Sequence, residues 1–436
     1  MIDYAAKPQA LPEGIDLDEF IVATYYAAAP REAPAYYIAP FLAIEQSTGT
    51  WVPVPGETPE VRAKHVAKVI GVWEVPQWEF AILDDCKERQ YVIQIAFPVR
   101  NIEYQIPMML TATLGNISMG GKIKLLDLNF PESYTKGFSG PKFGIDGVYD
   151  LLGIKERRPL LNNMIKPCSG YSCELGTELF YKAAAGGCDC IKDDELIADM
   201  QYNRVEDRVK AYMQMEKRVF EETGERTLYT VNVSDNLPKM FETAKRAVAG
   251  GANAIMVNYL AVGLPALQAL AEDPEINVPI MAHMDCAGAL YESHYSGMSS
   301  HLVLGKLPRL AGADIVVFPA PYGKAPFLKE RFMPCADAMV YPLHALRQTM
   351  PMPSGGITPS MVGQCMADLG SEIMIGSGGG IHAHPAGPTA GATAFRQAID
   401  ATMQGIPVEE YAKDHEELAQ AIGVWGHLHA GEFFKQ

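Results

Sequence analysis

The 436-residue chain lacks long apolar runs, an excess of basic residues and paired cysteine motifs. No stretch of about 18 apolar residues occurs, so we expect no membrane-spanning helix. Its 36 Lys and Arg residues against 52 Asp and Glu residues give a formal charge of −16. This balance argues against nucleic acid and against an anionic membrane surface as partners, because both bind basic patches.

The cysteines and the first residues of the chain favour a cytoplasmic location. The eight cysteines show no spacing typical of a zinc site, and scattered free cysteines are typical of a reducing compartment. The opening segment MIDYAAKPQALPEG contains no apolar run of signal-peptide length. We therefore expect a cytoplasmic protein.

The composition and the pattern of the first third predict an α+β domain over residues 1–140. With 48% hydrophobic residues, the chain is long enough for two domains with large cores. Strand-like runs occur at 21–26 and 91–97, and a helix-like region covers 60–70. A glycine- and proline-containing passage at 137–142 then interrupts this pattern, as a domain entry would.

Residues 141–436 alternate regularly between apolar strand-like runs and helical stretches. The eight runs lie near 160–166, 188–193, 228–233, 254–260, 279–284, 314–319, 350–354 and 372–376. This count predicts a (β/α)₈ barrel with a C-terminal helical extension, in which functional residues lie at the C-terminal ends of the strands. A doubly wound sheet is the alternative, but it does not explain candidate residues after so many different strands.

The chemically unusual stretch is Gly186–Glu195, in which an apolar run ends in one lysine and three consecutive acids. Alternation along a strand places Lys192 and Asp194 on one face, and Glu195 can join them from the following loop. Carboxylates are suitable ligands for Mg²⁺. Because an ammonium group repels a cation, Lys192 is either a counter-charge without metal or a lysine converted to an anionic carbamate. A solvated acidic loop is the simpler alternative.

The pattern GG-x-D-x-x-KDDE of this stretch resembles the metal-site motif of the RuBisCO superfamily. Further segments resemble that family in the same order, namely 45–51 (EQSTGTW), 115–116 (GN), 165–167 (IKP), His283, 323–324 (GK), 354–356 (SGG) and 378–380 (GGG). The resemblance covers most of the chain. It implies that Lys192 is carbamylated by CO₂ and binds Mg²⁺ together with Asp194 and Glu195.

The same resemblance implies roles for other residues of the barrel. Lys166 would transfer protons, with burial and a nearby Mg²⁺ lowering its pKa. His283 would belong to the catalytic site, and Lys324 would lie on a mobile loop and contact a substrate carboxylate. The glycine-rich loops after the seventh and eighth strands predict one phosphate site, because exposed backbone N–H groups bind oxyanions. Its residues are Ser354, Gly355, Gly356, Gly378 and Gly379.

The resemblance also implies a homodimer or a larger assembly of dimers. In this family, residues of the N-terminal domain complete the active site of the neighbouring subunit. The corresponding residues are Glu45, Thr50, Trp51 and Asn116.

Three departures from the pattern of true carboxylases concern the substrate. Cys168 replaces a second lysine, Met284 replaces an arginine and Val317 replaces a histidine. In carboxylases, the arginine and this histidine hold the second phosphate of a bisphosphate. We therefore expect a RuBisCO-like protein that binds a singly phosphorylated substrate and does not carboxylate ribulose bisphosphate.

A Mg²⁺ site beside Lys166 suits a reaction through an enediolate. Because Lys324 is retained, the sequence favours decarboxylation or cleavage of a 3-oxo sugar acid phosphate of the 3-oxo-isoapionate 4-phosphate type. The alternative is a methionine-salvage enolase or isomerase, acting on 2,3-diketo-5-methylthiopentyl-1-phosphate or 5-methylthioribulose-1-phosphate. A non-catalytic regulatory homologue belongs to another class, and it would tend to lose the metal ligands that this chain retains.

Overall fold

The computed structural model describes residues 3, 5–49, 52, 54–325 and 327–426. The chain divides into two compact units, Met1–Phe138 with Cys286–Val303, and Ser139–Asp285 with Leu304–Gln436. The strands are β1 (Phe20–Pro30), β2 (Lys68–Glu74), β3 (Glu88–Pro98), β4 (Lys122–Asn129), β5 (Leu160–Met164), β6 (Cys190–Lys192), β7 (Leu228–Asn232), β8 (Ala254–Asn258), β9 (Ile280–His283), β10 (Ser296–Met298), β11 (Ile315–Pro319), β12 (Met350–Ser354) and β13 (Met374–Ser377).

The helices are more numerous in the second unit. They are α1 (Ala35–Glu45), α2 (Pro59–His65), α3 (Ile106–Leu114), α4 (Glu132–Thr135), α5 (Gly144–Leu152), α6 (Cys173–Ala185), α7 (Val205–Thr223), α8 (Leu237–Ala249), α9 (Tyr259–Val262), α10 (Leu264–Glu272), α11 (Gly288–Tyr291), α12 (Leu307–Leu310), α13 (Lys329–Val340), α14 (Val362–Leu369), α15 (Gly379–His382), α16 (Pro388–Met403), α17 (Val408–Tyr411) and α18 (Glu416–Trp425). Within the described residues, no helix is both long and apolar enough to span a membrane.

The first unit contains a five-stranded sheet in the order β10-β4-β1-β3-β2. Strand β1 lies antiparallel to β3 and β4, and alternate residues such as Ile21, Ala23 and Tyr25 are fully buried. This alternation is typical of a strand with one face on a core. The strand β10 comes from the distant segment Cys286–Val303 and pairs in parallel with β4.

The predicted helix over 60–70 is partly wrong. Helix α2 begins after Thr58, whose hydroxyl accepts a hydrogen bond from the Val61 amide, and it ends at His65. The chain is extended at Val66 and continues into β2, which pairs with β3. Burial of Val66 and Val69 against the sheet outweighs the helical pattern, since local propensity is weaker than tertiary packing.

The second unit is the predicted (β/α)₈ barrel, and this prediction is confirmed. Eight parallel strands lie in the order β12-β11-β9-β8-β7-β6-β5-β13, and β12 and β13 are neighbours, which closes the barrel. Apolar side chains of every strand fill the interior, among them Leu160, Cys190, Leu228, Met256, Met281, Val317, Met352 and Met374. Because all eight strands point the same way, their C-terminal ends meet at one face of the barrel.

Candidate active site

The predicted site residues of the barrel lie at the C-terminal ends of its strands. Lys166 follows β5, Lys192 ends β6, and His283 ends β9. Ser354 ends β12, and Gly378 follows β13 directly. The barrel therefore brings to one face groups that are up to 212 residues apart, the distance in sequence from Lys166 to Gly378.

The three consecutive acids after Lys192 point to different partners. Asp193 accepts hydrogen bonds from the Arg208 guanidinium (3.0 Å), the Tyr229 hydroxyl (2.8 Å) and the Asn232 amide (2.9 Å). The Asp193 and Arg208 side chains are both fully buried. This acid joins β6 to β7 and α7, so it serves the fold.

Glu195 lies between two nitrogen groups. Its Oε2 is 3.2 Å from Lys192 Nζ and 3.3 Å from His283 Nε2. Burial would raise the pKa of Glu195, but the charges of Lys192 and His283 outweigh it and lower the pKa to about 2. Glu195 is therefore ionised at neutral pH. The other ring nitrogen of His283 lies 2.9 Å from Asp285 Oδ2, which orients the imidazole.

Asp194 forms an ion pair with Lys166. Asp194 is fully buried, and its Oδ2 lies 2.5 Å from Lys166 Nζ, which also donates to Cys168 Sγ over 3.1 Å. Burial alone would lower the pKa of Lys166, as the sequence led us to expect. The hydrogen bonds to Asp194 and Cys168 outweigh burial and raise the pKa of Lys166 above its ordinary value. Lys166 is therefore held as an ammonium in this arrangement.

The donors around Lys192 fit a Mg²⁺ site only if the lysine itself becomes a ligand. Among the residues described, no group of three or more His, Cys, Asp or Glu side chains forms a metal site. Asp194 and Glu195 supply two carboxylates, and each already faces a cation, Lys166 or Lys192. The Lys192 ammonium is fully buried and is bound by the Asp193 carbonyl (2.7 Å) and Glu195. A carbamate on this nitrogen would supply the third anionic oxygen ligand, as hard cations require.

The two glycine-rich loops lie close together. A Cβ atom on Gly376 would lie 3.1 Å from Ser354 Cβ, and one on Gly378 would lie 2.8 Å from Lys166 Cε. Gly355 and Gly356 have φ angles of 100° and 89°, which favour glycine over other residues. A Cβ atom on Gly355 or Gly379 would meet no atom within 4 Å. The space beside these two glycines is therefore open for an anion, at the place where phosphate binding was predicted.

The main chain of Lys324 lies beside the loop of Gly355 and Gly356. Its backbone N–H donates to the Gly355 carbonyl over 2.7 Å. A Cβ atom on Gly356 would lie 2.9 Å from the Lys324 nitrogen and 3.4 Å from its Cβ. The Lys324 side chain itself is exposed. The structure thus brings the loop of Lys324 to the predicted phosphate site.

Met284 and Val317, which replace polar residues of true carboxylases, are apolar and also lie in apolar surroundings. Val317 is fully buried in the barrel core, and Met284 packs against the same core. Neither side chain offers a hydrogen-bond donor to a phosphate group.

No role is predicted from the sequence for His382, which is the last residue of α15. The His382 amide donates to the Gly378 carbonyl over 2.9 Å. Burial and then the charge of Lys166 lower the pKa of His382 to about 4, so the ring is neutral at physiological pH. Its position four residues after Gly378 is the only sequence signal that would have pointed to it.

Two of the four residues predicted to serve a neighbouring subunit lie in contact with each other. Asn116 Nδ2 donates to Glu45 Oε1 over 3.4 Å, although 71 residues separate them in sequence. Thr50 and Trp51 lie outside the described residues. The first unit therefore presents Glu45 and Asn116 together.

Comparison with family models identifies both parts of the chain. The model of the ribulose bisphosphate carboxylase large chain, N-terminal domain, matches residues 15–134. The model of the catalytic domain of the same chain matches residues 144–325 and 336–425.

Curated relatives extend over nearly the whole chain. A ribulose bisphosphate carboxylase-like protein of Archaeoglobus fulgidus is 56% identical over 420 residues, which are 96% of each chain. A 2,3-diketo-5-methylthiopentyl-1-phosphate enolase of Geobacillus kaustophilus is 39% identical over 88% of this chain and 93% of the relative.

Solved structures of similar proteins share the whole fold. A rubisco-like protein (MtnW) from Alicyclobacillus acidocaldarius matches with a TM-score of 0.86 and 36% identity, covering 93% of this chain and 100% of the other. The dimeric archaeal Rubisco from Hyperthermus butylicus matches with a TM-score of 0.83 and 31% identity, covering 96% and 98%. Together with the KDDE motif and the barrel, these matches show that the chain belongs to the RuBisCO large-chain family.

Proposed function

We propose that this protein is a Mg²⁺-dependent enolase that moves a proton beside a carbonyl group of a singly phosphorylated diketo sugar. The substrate is of the 2,3-diketo-5-methylthiopentyl-1-phosphate type. One observation carries the proposal: Lys166 Nζ contacts Asp194 over 2.5 Å, while Lys166 Cε lies against Gly378. A single lysine thus lies between the proposed metal ligand and the proposed phosphate loop, where an enolase needs its proton-transfer group.

The metal would be held by Lys192 as a carbamate, by Asp194 and by Glu195. When bound, Mg²⁺ stabilises the negative charge that develops on the substrate oxygens of an enolate. His283 keeps Glu195 in place through its 3.3 Å contact, and Asp285 fixes the orientation of the His283 ring. These two contacts position a ligand without taking part in proton transfer.

The proton-transfer role of Lys166 depends on its ion pair. As long as Asp194 accepts its hydrogen bond, the raised pKa of Lys166 keeps it protonated and unable to act as a base. If Asp194 instead bound a metal, burial would have the larger influence and would lower the pKa of Lys166. The lysine could then take a proton from the carbon next to the substrate carbonyl.

The phosphate of the substrate would bind to Ser354, Gly355, Gly356, Gly378 and Gly379. The open space at Gly355 and Gly379 supports one such group. Buried Val317 and Met284 provide no site for a second phosphate. A bisphosphate is therefore a poor ligand, which makes the protein a RuBisCO-like enzyme and not a carboxylase.

The enolase takes precedence over the decarboxylase that the sequence favoured. That preference depended on Lys324 as a contact for a substrate carboxylate. In the structure, Lys324 is anchored by its main chain, and its side chain is exposed. Relatives at 37–39% identity carry the name 2,3-diketo-5-methylthiopentyl-1-phosphate enolase, which favours the alternative.

The proposal includes a cytoplasmic homodimer. A dimeric state is the simplest one that allows Glu45 and Asn116 to complete a neighbour's site, and a dimeric archaeal Rubisco is among the structural matches. The proposal assigns Thr50 and Trp51 to the same role, and both lie outside the described residues.

The test is an assay of the purified protein with Mg²⁺ and bicarbonate against three substrates. We expect enol formation and solvent-deuterium exchange with 2,3-diketo-5-methylthiopentyl-1-phosphate. Release of CO₂ from 3-oxo-isoapionate 4-phosphate without such exchange would establish the decarboxylase, and conversion of 5-methylthioribulose-1-phosphate would establish the isomerase. No turnover of any substrate, together with no Mg²⁺ binding, would indicate a non-catalytic protein.

A further inference from the structure

His382 has a ring nitrogen that is enclosed but makes no hydrogen bond. The Nε2 atom is buried and has no partner among the residues that the structure describes. Buried polar atoms are nearly always paired, so this nitrogen has hydrogen-bonding capacity that a neighbouring group can satisfy.

Lys166 is the candidate for that neighbouring group. The His382 amide is bonded to the Gly378 carbonyl, and the Lys166 side chain lies against the same glycine. Both residues therefore adjoin Gly378, and burial together with the weaker influence of the Lys166 charge lowers the pKa of His382. A neutral imidazole with its proton on Nδ1 offers a lone pair on Nε2, and this lone pair can accept a hydrogen bond from an ammonium group.

Lys166 needs such a partner when the metal binds. In the present arrangement, Lys166 occupies Asp194 Oδ2, one of the proposed metal ligands. Asp194 can bind a cation at that oxygen only if Lys166 leaves it. The Lys166 ammonium then loses its charged acceptor while it remains more than half enclosed by protein, with 31% of its side chain exposed. Leaving such a group without an acceptor is costly.

We propose that His382 is a positioning residue whose Nε2 accepts a hydrogen bond from the Lys166 side-chain nitrogen when Asp194 binds Mg²⁺. The inference rests on Asp194 being a metal ligand, as in the proposed function. It adds a two-position switch, in which Lys166 is bonded either to Asp194, as in the structure, or to His382 Nε2 when Asp194 binds Mg²⁺. His382 thereby favours metal binding and holds Lys166 beside Gly378, next to the phosphate loop.

The test measures the affinity of the protein for Mg²⁺ alone, with bicarbonate and without substrate, by calorimetry. We expect His382→Leu to weaken Mg²⁺ binding about tenfold, because a hydrogen bond to a charged group is lost only in the metal-bound state. His382→Gln should bind Mg²⁺ nearly as tightly as the natural protein, since its amide oxygen can accept the same bond. His415→Leu, which removes a histidine stacked on Tyr411 far along the chain, is the control and should leave the affinity unchanged.

Making the same substitution in the Lys166→Met variant distinguishes the switch from an effect of His382 on packing. In Lys166→Met, Asp194 has no ammonium to release, so adding His382→Leu should not change Mg²⁺ affinity further. The Nε2 signal of ¹⁵N-labelled His382 should also shift on Mg²⁺ addition in the natural protein and not in Lys166→Met.

Two results would overturn the proposal. An unchanged affinity in His382→Leu removes the switch, and so does an equal loss in the Lys166→Met background, which would mean that His382 only supports packing. A different result is expected if the proposed function itself is wrong and Asp194 is not a metal ligand. The natural protein and Asp194→Asn would then bind Mg²⁺ equally. If His382→Leu does not fold, the ¹⁵N shift decides the matter, because the proposal requires it in the natural protein and excludes it in Lys166→Met.

Discussion

Asp193 and Arg208 form an ion pair in which both side chains are fully buried, with 3.0 Å between Oδ2 and Nη2. Burial would lower the pKa of Arg208, but the charge of Asp193 outweighs it and raises the pKa. The neighbouring acid Asp194 faces Lys166 instead. Two adjacent acids of one motif thus have separate roles, one in holding the barrel together and one in the proposed chemistry.

We expect Asp193→Asn to destabilise the fold strongly. The substitution leaves the Arg208 charge buried without its counter-charge, which typically costs about 3–5 kcal/mol. Urea unfolding at neutral pH should show a much lower midpoint. Glu222→Gln is the matched control, because its ion pair with Arg218 lies on the surface and is screened by solvent. An equal midpoint for Asp193→Asn and the natural protein would contradict this role.

Carbamylation of Lys192 can be observed directly. Addition of ¹³C-bicarbonate and Mg²⁺ should give a carbamate signal in the ¹³C spectrum, and Lys192→Ala should abolish both this signal and turnover. The physical reason is that Asp194 and Glu195 alone give the metal only two protein ligands. Lys182→Ala, which removes an exposed helix lysine paired with Glu178, should keep signal and activity. A protein that is fully active with no ¹³C signal would refute the carbamate.

The fold was accessible from the sequence because each barrel strand is a short apolar run followed by a helix. All eight predicted strands lie at the expected positions, with ends that differ by a few residues. Two features depend on contacts distant in sequence and were not predicted. The strand β2 replaces the end of a helical pattern because Val69 packs on the sheet, and β10 joins that sheet from Cys286–Val303.

The candidate site was accessible only in part. The positions of Lys166, Lys192 and His283 follow from strand ends, since parallel strands of a barrel end at one face. The partner of each acid does not follow from any spacing. The Asp193 partner lies on α7, fifteen residues away, and the pKa of Lys166 depends on Asp194 and Cys168 together.

A buried carboxyl group at the start of β11 predicts a pH dependence of stability. Asp314 is fully buried and accepts hydrogen bonds from the amides of Phe143, Gly144 and Ile280. Burial outweighs these bonds and raises the pKa of Asp314 from 3.8 to about 6. Between these values the folded protein holds a proton that the unfolded chain has lost, so the free energy of unfolding falls as pH rises.

The measurement compares the natural protein with Asp314→Asn by urea unfolding from pH 4 to pH 7. The stability of the natural protein relative to the variant should fall by up to about 3 kcal/mol as pH rises to 6, and then stay constant. Taking the difference removes contributions shared by both proteins, including that of Glu195, which acts mainly below this range. A difference that does not change with pH would show that Asp314 titrates normally.

A substitution at Gly379 tests phosphate binding without disturbing the fold. A Cβ atom there meets nothing within 4 Å, so Gly379→Val should fold normally and place its side chain where the phosphate is proposed to bind. We expect KM to rise at least tenfold with little change in Tm. Gly423→Val also adds a side chain in open space, on α18, and should change neither value. Normal KM for Gly379→Val would place the phosphate elsewhere.

The two candidate lysines can be assigned by substituting each with methionine. Lys166→Met removes the group that contacts Asp194 and Gly378, so deuterium exchange into 2,3-diketo-5-methylthiopentyl-1-phosphate should fall by about 10²-fold or more, as expected for a general base. Lys324→Met keeps the backbone bond to Gly355 and removes only an exposed ammonium. Its kcat for exchange should remain close to the natural value, with a higher KM if the lysine contacts the phosphate.

If the protein is a decarboxylase, Lys324→Met should lose turnover, because a group that contacts the departing carboxylate is then needed in the transition state. Loss of turnover in Lys324→Met with retained exchange in Lys166→Met would therefore overturn the enolase.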